Sequence, residues 1–154
     1  MIHIFLTIIT NKIFYISVLS WFITQNLKFL INFLTKKQIK SKNTIFLIEL
    51  GGMPSVHSAF VSSLSTSVGL KLGWDNPIFI VTLCFSCIVI ADAAGFRRAT
   101  GKQAKALNEI VEELKSIQSF KDLKYETVRE LLGHTPIEVF VGIIVGIIIT
   151  FIFY

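Results

Sequence analysis

The sequence contains few charged residues: Asp, Glu, Lys and Arg together make up 16% of its 154 residues. An ordinary soluble domain has about 25%, whereas 53% of this chain is hydrophobic and 14 residues are Phe. Cysteine is also scarce, since Cys84 and Cys87 are the two that occur, inside one apolar run without a cationic neighbour. They fit small apolar packing residues better than a redox pair. These scarcities argue against a soluble domain and favour a chain that contacts lipid.

Four apolar runs lie along the chain, and a helix needs about 20 such residues to cross a bilayer core of roughly 30 Å. We therefore predict an all-α, multi-pass transmembrane helix bundle of about four crossings, forming one membrane domain over residues 1–154. The crossings are expected near residues 13–34, 57–72, 78–94 and 136–154. The second run is rich in Ser and Gly, which is typical of close helix–helix contact in lipid.

Basic residues are distributed unevenly among the connections between these runs. Eight Lys or Arg residues lie in the connection 95–135, whereas Lys71 is the one basic residue between the second and third runs. The connection before the second run contains Lys36, Lys37, Lys40 and Lys42. Because cytoplasmic loops carry the excess of basic residues, both basic connections are expected in the cytoplasm. We predict a bacterial cytoplasmic membrane as the location, with both chain ends outside.

The long connection contains an amphipathic pattern. Apolar residues recur at helical spacing among Lys and Glu residues, namely Ala104, Leu107, Val111, Leu114 and Ile117. This spacing predicts a cytoplasmic amphipathic helix over residues 102–117. Three placements are open: on the membrane surface, over a site, or packed on the cytoplasmic end of the bundle.

Three polar motifs stand at the ends of the predicted crossings. Residues 51–59 (GGMPSVHSA) open the second crossing, residues 92–98 (DAAGFRR) close the third, and residues 133–138 (GHTPIE) open the fourth. With the sidedness above, all three motifs lie at the cytoplasmic boundary. Apolar patterning does not require this convergence, so we expect a functional site there.

The chemistry expected of this site is anion binding. Two of the motifs open helices, whose first turns present unpaired N–H groups and the positive end of the helix dipole. Arg97 and Arg98 add guanidinium groups suited to phosphate, and Ser55 adds a hydroxyl. His57 and His134 add groups that exchange protons or attack near neutral pH.

Several of these residues also have a structural interpretation. Glu138 fits a capping box with the threonine three positions earlier, and Ser55 fits an N-cap. Arg97 and Arg98 fit interfacial anchors that contact lipid head groups. Lys28, near the same end of the first crossing, either extends toward the interface or reaches an anion held by the other helices. The residues alone leave each pair of interpretations open.

In this order and at these spacings, the three motifs resemble the divergent branch of the phosphatidic acid phosphatase type 2 superfamily, small membrane proteins related to acid phosphatases and vanadium-dependent haloperoxidases. The resemblance spans roughly residues 24–146. It implies hydrolysis of a phosphate ester through a phosphohistidine, without a metal or another cofactor. By this resemblance His134 is the nucleophile, Glu138 orients it, and His57 is the general acid that protonates the leaving oxygen.

The resemblance also implies a phosphate cradle. The residues that it places around the phosphate are Ser55, Arg97, Arg98 and Lys28, to which we add Asp92 and Arg129 as candidate supporting residues. The sequence also departs from the superfamily pattern, including at Val56, which replaces the usual small residue between Ser55 and His57. Glu138 stands where Asp is usual, Lys28 is not followed by Arg-Pro, and Val128 occupies the position of an Arg six residues before the nucleophile.

The expected function is hydrolysis of a lipid or isoprenoid phosphate monoester or diphosphate in the cytoplasmic leaflet. The partners are membrane lipids and the phosphorylated lipid substrate, and no nucleic acid, because the basic connections explain the net charge of +5. Two alternatives are a non-catalytic binder or carrier of phosphorylated lipids, and a small structural membrane subunit whose motifs cap and anchor helices. The oligomeric state is not predicted.

Overall fold

The protein is all-helical in the part that the computed structural model describes, residues 2–35, 52–117, 128 and 134–154. The helices there are α1 (Ile2–Ile9), α2 (Lys12–Leu34), α3 (Val56–Leu72), α4 (Pro77–Ala94), α5 (Phe96–Ser116) and α6 (Pro136–Phe153). No strand occurs within these ranges. The predicted all-α fold is therefore confirmed.

Local sequence signals explain where the helices begin and end. Asn11 and Asn76 cap α2 and α4, because each side chain accepts the N–H of the residue two positions later. Pro77 then stands at the first helical position of α4, where its fixed φ suits a helix start. α3 ends at Gly73, whose φ of 97° favours glycine. The turn between α3 and α4 is consequently short.

Within the described ranges, three helical stretches are long and apolar enough to cross a membrane: Lys12–Leu34, Pro77–Lys115 and Pro136–Phe153. α3 has 17 residues and is not among them. Large apolar side chains are exposed on the outer faces of α2, α4 and α6, for example Phe22, Ile88 and Phe140. The chain is therefore an all-α membrane bundle, while the predicted number of four crossings stays a prediction.

α3 lies at the centre of the bundle and packs against α2, α4 and α6. Eleven of its residues are buried, and more than half of these are Ser or Thr. Neighbouring helices use its backbone as a partner: Ser20 Oγ donates to Ala59 O at 3.2 Å and Ser86 Oγ to Val61 O at 3.0 Å. Because protein rather than lipid surrounds α3, its backbone carbonyl groups are within reach of such donors.

α3 and α6 run parallel and in close contact. Gly142 lies against Ser55 and Gly146 against the next turn of α3. One turn further on, Thr150 Oγ1 donates to Ser63 Oγ at 2.8 Å. Later residues of α6 thus contact later residues of α3, so the two helices start at the same end of the bundle. The four-residue repeat of small residues on α6 permits the close approach, as is common between helices in lipid.

α2 and α4 run antiparallel to α3. Ser20 of α2 contacts Ala59, whereas the later residue Lys28 lies beside the earlier residue Gly52, so α2 runs opposite to this part of the chain. α4 returns after a link of four residues, 73–76. The end of α2, the start of α3, the end of α4 and the start of α6 therefore meet at one end of the bundle, which we call the motif end.

α5 follows Gly95 directly and packs against α4. The predicted amphipathic segment is helical through Ser116, and the helix begins earlier than predicted, at Phe96. Ala104 and Val111 are buried, whereas Leu107 on the same apolar face is 45% exposed. Its three possible placements relative to the membrane and the site stay predictions.

Candidate phosphate site

The starts of α3 and α6 lie side by side at the motif end. The Ser55 N–H donates to the Glu138 carbonyl oxygen at 2.9 Å. One turn after Glu138, a Cβ on Gly142 would collide with the Ser55 carbonyl oxygen and stand 3.1 Å from Ser58 Cβ, so only a bare backbone fits between the helices. The two helix N-termini thus direct the positive ends of their dipoles to the same region, where the N-cap bonds already use the N–H groups of Ser58 and Glu138. Such a pair favours an anion.

His134 and Glu138 form a pair at the start of α6. His134 Nδ1 lies 3.2 Å from Glu138 Oε2, and the histidine is 6% exposed. The same carboxylate oxygen accepts the Thr135 N–H at 3.0 Å, and Thr135 Oγ1 accepts the Glu138 N–H at 3.4 Å. Glu138 therefore forms the capping box and contacts His134 at once. In the tautomer whose Nδ1–H donates a hydrogen bond to the carboxylate, the lone pair of the imidazole ring is on Nε2.

Ser55 and His57 differ in exposure although both lie at the start of α3. Ser55 is fully buried, and its Oγ accepts the Ser58 N–H at 3.4 Å and the Ser58 hydroxyl at 3.0 Å. Ser55 is thus the N-cap of α3, and these two bonds use its hydroxyl oxygen as an acceptor. His57, in the first turn of α3, is exposed. The motif end therefore carries one buried histidine, His134, and one exposed histidine.

Lys28 points into the bundle. Its side chain is 1% exposed, and its Cε would be 3.2 Å from a Cβ placed on Gly52. The structure therefore favours the inward interpretation over extension toward the interface. The ammonium of Lys28 therefore lies beside Gly52, next to the start of α3, and an ammonium inside a membrane bundle is stabilised by opposite charge or strong acceptors.

The remaining predicted residues are placed less completely. Asp92 lies in the last turn of α4 at the motif end and is half-buried. Arg97 and Arg98 belong to the first turn of α5, directly after Gly95. Their side chains, and the whole of Arg129, lie outside the described part of the structure. Their contribution to phosphate binding stays a prediction.

Two residues on α2 were not predicted as part of the site. Thr24 and Asn32 lie one turn before and one turn after Lys28, and both are buried. The sequence does contain a pattern that points to them, because Ser20, Thr24, Lys28 and Asn32 are polar residues spaced by four in an apolar run. That spacing places them on one face of a helix.

The groups at the motif end suit an oxyanion. They comprise helix N-terminal amides, the Lys28 ammonium, the Ser55 hydroxyl and the imidazole of His134 held by a carboxylate. In the described residues, no three or more His, Cys, Asp or Glu side chains form a group that could hold a metal ion.

The fold and the site define the class of the protein: an integral membrane helix bundle with a cluster of polar and cationic groups at one end. The Divergent PAP2 family matches residues 9–149, so the chain belongs to the Divergent PAP2 family and the predicted resemblance is confirmed. The chain is similar to the uncharacterized membrane protein YuiD of Bacillus subtilis (strain 168), with 44% identity over 108 residues, 65% of this chain and 68% of that protein. No solved structure gives a significant match.

Proposed function

We propose that the protein is a membrane phosphatase that hydrolyses a phosphate ester of a lipid or isoprenoid through a phosphohistidine on His134. The observation that carries this proposal is the 2.9 Å hydrogen bond from the Ser55 N–H to the Glu138 carbonyl. It holds the His134–Glu138 pair beside the first-turn amides of α3. Membership of the Divergent PAP2 family supports the same assignment.

In the first step His134 Nε2 attacks the phosphorus atom. The N–P bond forms while the bond from phosphorus to the ester oxygen breaks, and His57 donates its proton to that leaving oxygen. Glu138 holds the His134 ring through Nδ1, at 3.2 Å. Lys28 and the helix amides stabilise charge on the three oxygens that stay on phosphorus.

In the second step water attacks the phosphorus atom of the phosphohistidine. His57, now neutral, accepts a proton from this water, the new P–O bond forms and the N–P bond breaks. Inorganic phosphate leaves, and both histidines return to their starting protonation states. The exposure of His57 suits this double role, because its side chain is accessible both to the leaving group and to water.

We place the motif end at the cytoplasmic face of a bacterial cytoplasmic membrane. The support is the charge distribution: eight Lys or Arg residues lie in the connection 95–135, whereas the link 73–76 at the opposite end contains none and Lys71 stands just before it, in the last turn of α3. The phosphorylated head group of a lipid in the inner leaflet would then lie at the level of the site.

A second candidate function is binding or carriage of phosphorylated lipids without turnover. It is favoured by Val128, which stands where the superfamily has an arginine before the nucleophilic histidine. Such a protein would retain the anion-binding helix starts and Lys28. It would lack part of the charge that stabilises the transition state of phosphoryl transfer.

Phosphate release from purified protein distinguishes the two candidates. The substrates are short-chain phosphatidic acid and a polyprenyl diphosphate, presented in detergent. For a phosphatase, His134→Ala abolishes release, whereas the control His3→Ala, at an exposed histidine of α1, has wild-type activity. A carrier binds these lipids, loses binding in Lys28→Met and releases no phosphate. A structural subunit neither binds nor hydrolyses them.

A further inference from the structure

One face of α2 carries polar side chains that the proposed mechanism uses only in part. Ser20, Thr24, Lys28 and Asn32 recur every four residues, so they lie on one side of the helix, and all four are buried. The outer side of α2 carries exposed apolar residues such as Phe22. We call Thr24, Lys28 and Asn32 the α2 ladder. Apolar packing does not call for such residues inside a membrane bundle, because burying polar groups costs free energy.

The level of the ladder is fixed by two contacts with the α3 region. Ser20 Oγ donates to Ala59 O at 3.2 Å, one turn below Thr24. Lys28, one turn above, lies beside Gly52 in the segment before α3. Thr24 lies midway between these contacts, so its side chain is level with the first turn of α3.

Thr24 Oγ1 is the observation that points to a ligand. It is fully buried and has no hydrogen-bond partner among the described residues. The hydroxyl of Ser20, by contrast, already bonds a carbonyl. Because a buried hydroxyl without a partner costs free energy, a ligand that supplies an acceptor oxygen would stabilise this arrangement.

Asn32 and Lys28 flank the same backbone atom. A Cβ on Gly52 would stand 3.2 Å from Lys28 Cε and 3.6 Å from Asn32 Nδ2. Asn32 is 8% exposed, so its amide faces inward. The bare Cα of Gly52 therefore lets the segment before α3 lie directly over an ammonium and an amide, both of which donate to oxygen acceptors.

We propose that the α2 ladder is the wall of the site that binds the head group: Thr24 and Lys28 bind the phosphate, and Asn32 binds the polar group next to it. Each step of four residues advances about 6 Å, so the ladder spans about 12 Å, which exceeds one phosphoryl group. The substrate class is thus a lipid whose phosphate adjoins a second oxygen-rich group, a glycerol ester or a second phosphoryl, in preference to a plain alkyl phosphate. Only the prediction of turnover in this assignment rests on the proposed function; the prediction of head-group binding does not.

The test measures equilibrium binding and phosphate release for three lipids in detergent: short-chain phosphatidic acid, a polyprenyl diphosphate and a plain alkyl phosphate. Thr24→Val is compared with Thr82→Val, at a half-exposed residue of α4, and Asn32→Leu with Asn26→Leu, at an exposed residue of α2. Thr24→Val should weaken binding of all three about tenfold. Asn32→Leu should weaken binding of at least one of the first two lipids about tenfold and leave the alkyl phosphate unchanged, and the lipid that loses more affinity identifies the group that Asn32 binds.

Folding is checked by far-UV circular dichroism, and Asn32→Asp serves as a second variant because it keeps the side-chain volume but replaces the amide donor with a negatively charged acceptor. If Asn32→Leu, Asn32→Asp and Thr24→Val all bind like their controls, the ladder is not the head-group wall, even if the wild type is a phosphatase. If the wild type releases no phosphate but the ladder variants lose binding, the phosphatase proposal fails and the ladder assignment stands. If the wild type binds none of the lipids, both are overturned.

Discussion

Replacing Gly142 by alanine is expected to push apart the starts of α3 and α6. A Cβ at this position would lie 3.1 Å from Ser58 Cβ, 3.2 Å from the Ser55 carbonyl carbon and under 3.0 Å from the oxygen of that carbonyl. Carbon atoms pack best at about 3.5–4.0 Å. The obstructing atoms belong to the backbone of α3, which cannot rotate away as a side chain would, so the helices must separate by about 0.5–1 Å.

Two effects add up at this position. Overpacking a close contact costs about 1–3 kcal/mol. The separation also lengthens the hydrogen bond from Ser55 N–H to Glu138 O, now 2.9 Å, which contributes about 0.5–1.5 kcal/mol. We expect the free energy of unfolding to fall by about 2–4 kcal/mol. Phosphate release should fall about 100-fold, because a displacement of roughly 1 Å suffices for such a loss.

The assay is unfolding in detergent by titration with dodecyl sulfate, followed by far-UV circular dichroism, together with phosphate release under native conditions. Ile144→Ala is the matched control, because this residue lies on the same helix with its side chain exposed. It should differ little from the wild type in both measurements. Wild-type stability and activity in Gly142→Ala would refute the close approach of the two helix starts.

Three further predictions concern the site and its orientation. Glu138→Gln keeps the capping acceptor but removes the anionic partner of His134. The free energy of unfolding should therefore change by less than about 0.5 kcal/mol, while phosphate release falls at least about 100-fold. Full activity of this variant would mean that Glu138 only caps α6. Lys28→Met should reduce kcat/KM at least about 100-fold, whereas the control Lys71→Met, at an exposed residue of α3, should not. Equal effects of the two substitutions would show that Lys28 does not belong to the site. Cysteine replacements of Trp74 and Lys121 should be labelled from opposite sides of the membrane, and labelling from one side would contradict the sidedness.

Much of the fold follows from local sequence signals. At the starts of α4 and α6 a capping residue stands directly before a proline, Pro77 or Pro136, so this local residue pattern is enough to locate both helix starts. The apolar runs predict helices, because residues in lipid must satisfy their backbone groups internally. The three motifs were enough to identify the family.

The sequence did not predict which helix is central. The Ser-rich run of α3 suggested close contact, but burial among three neighbours depends on how the helices pack, which no single run specifies. The inward direction of Lys28 was equally open, because its flexible stem reaches either way. The side-by-side starts of α3 and α6 depend on Gly142, whose partner on another helix is not visible in sequence.

The phosphohistidine is the most direct test of the account. Purified protein is mixed with phosphatidic acid labelled with ³²P in its phosphate, quenched in base after a fraction of one turnover, and digested for peptide mapping. A mechanism through phosphohistidine produces a protein-bound label that is labile in acid and stable in base. We expect all of this protein-bound label on the peptide that contains His134 and none in His134→Ala. Turnover without this label, or with acid-stable label on Ser55, would contradict the proposal.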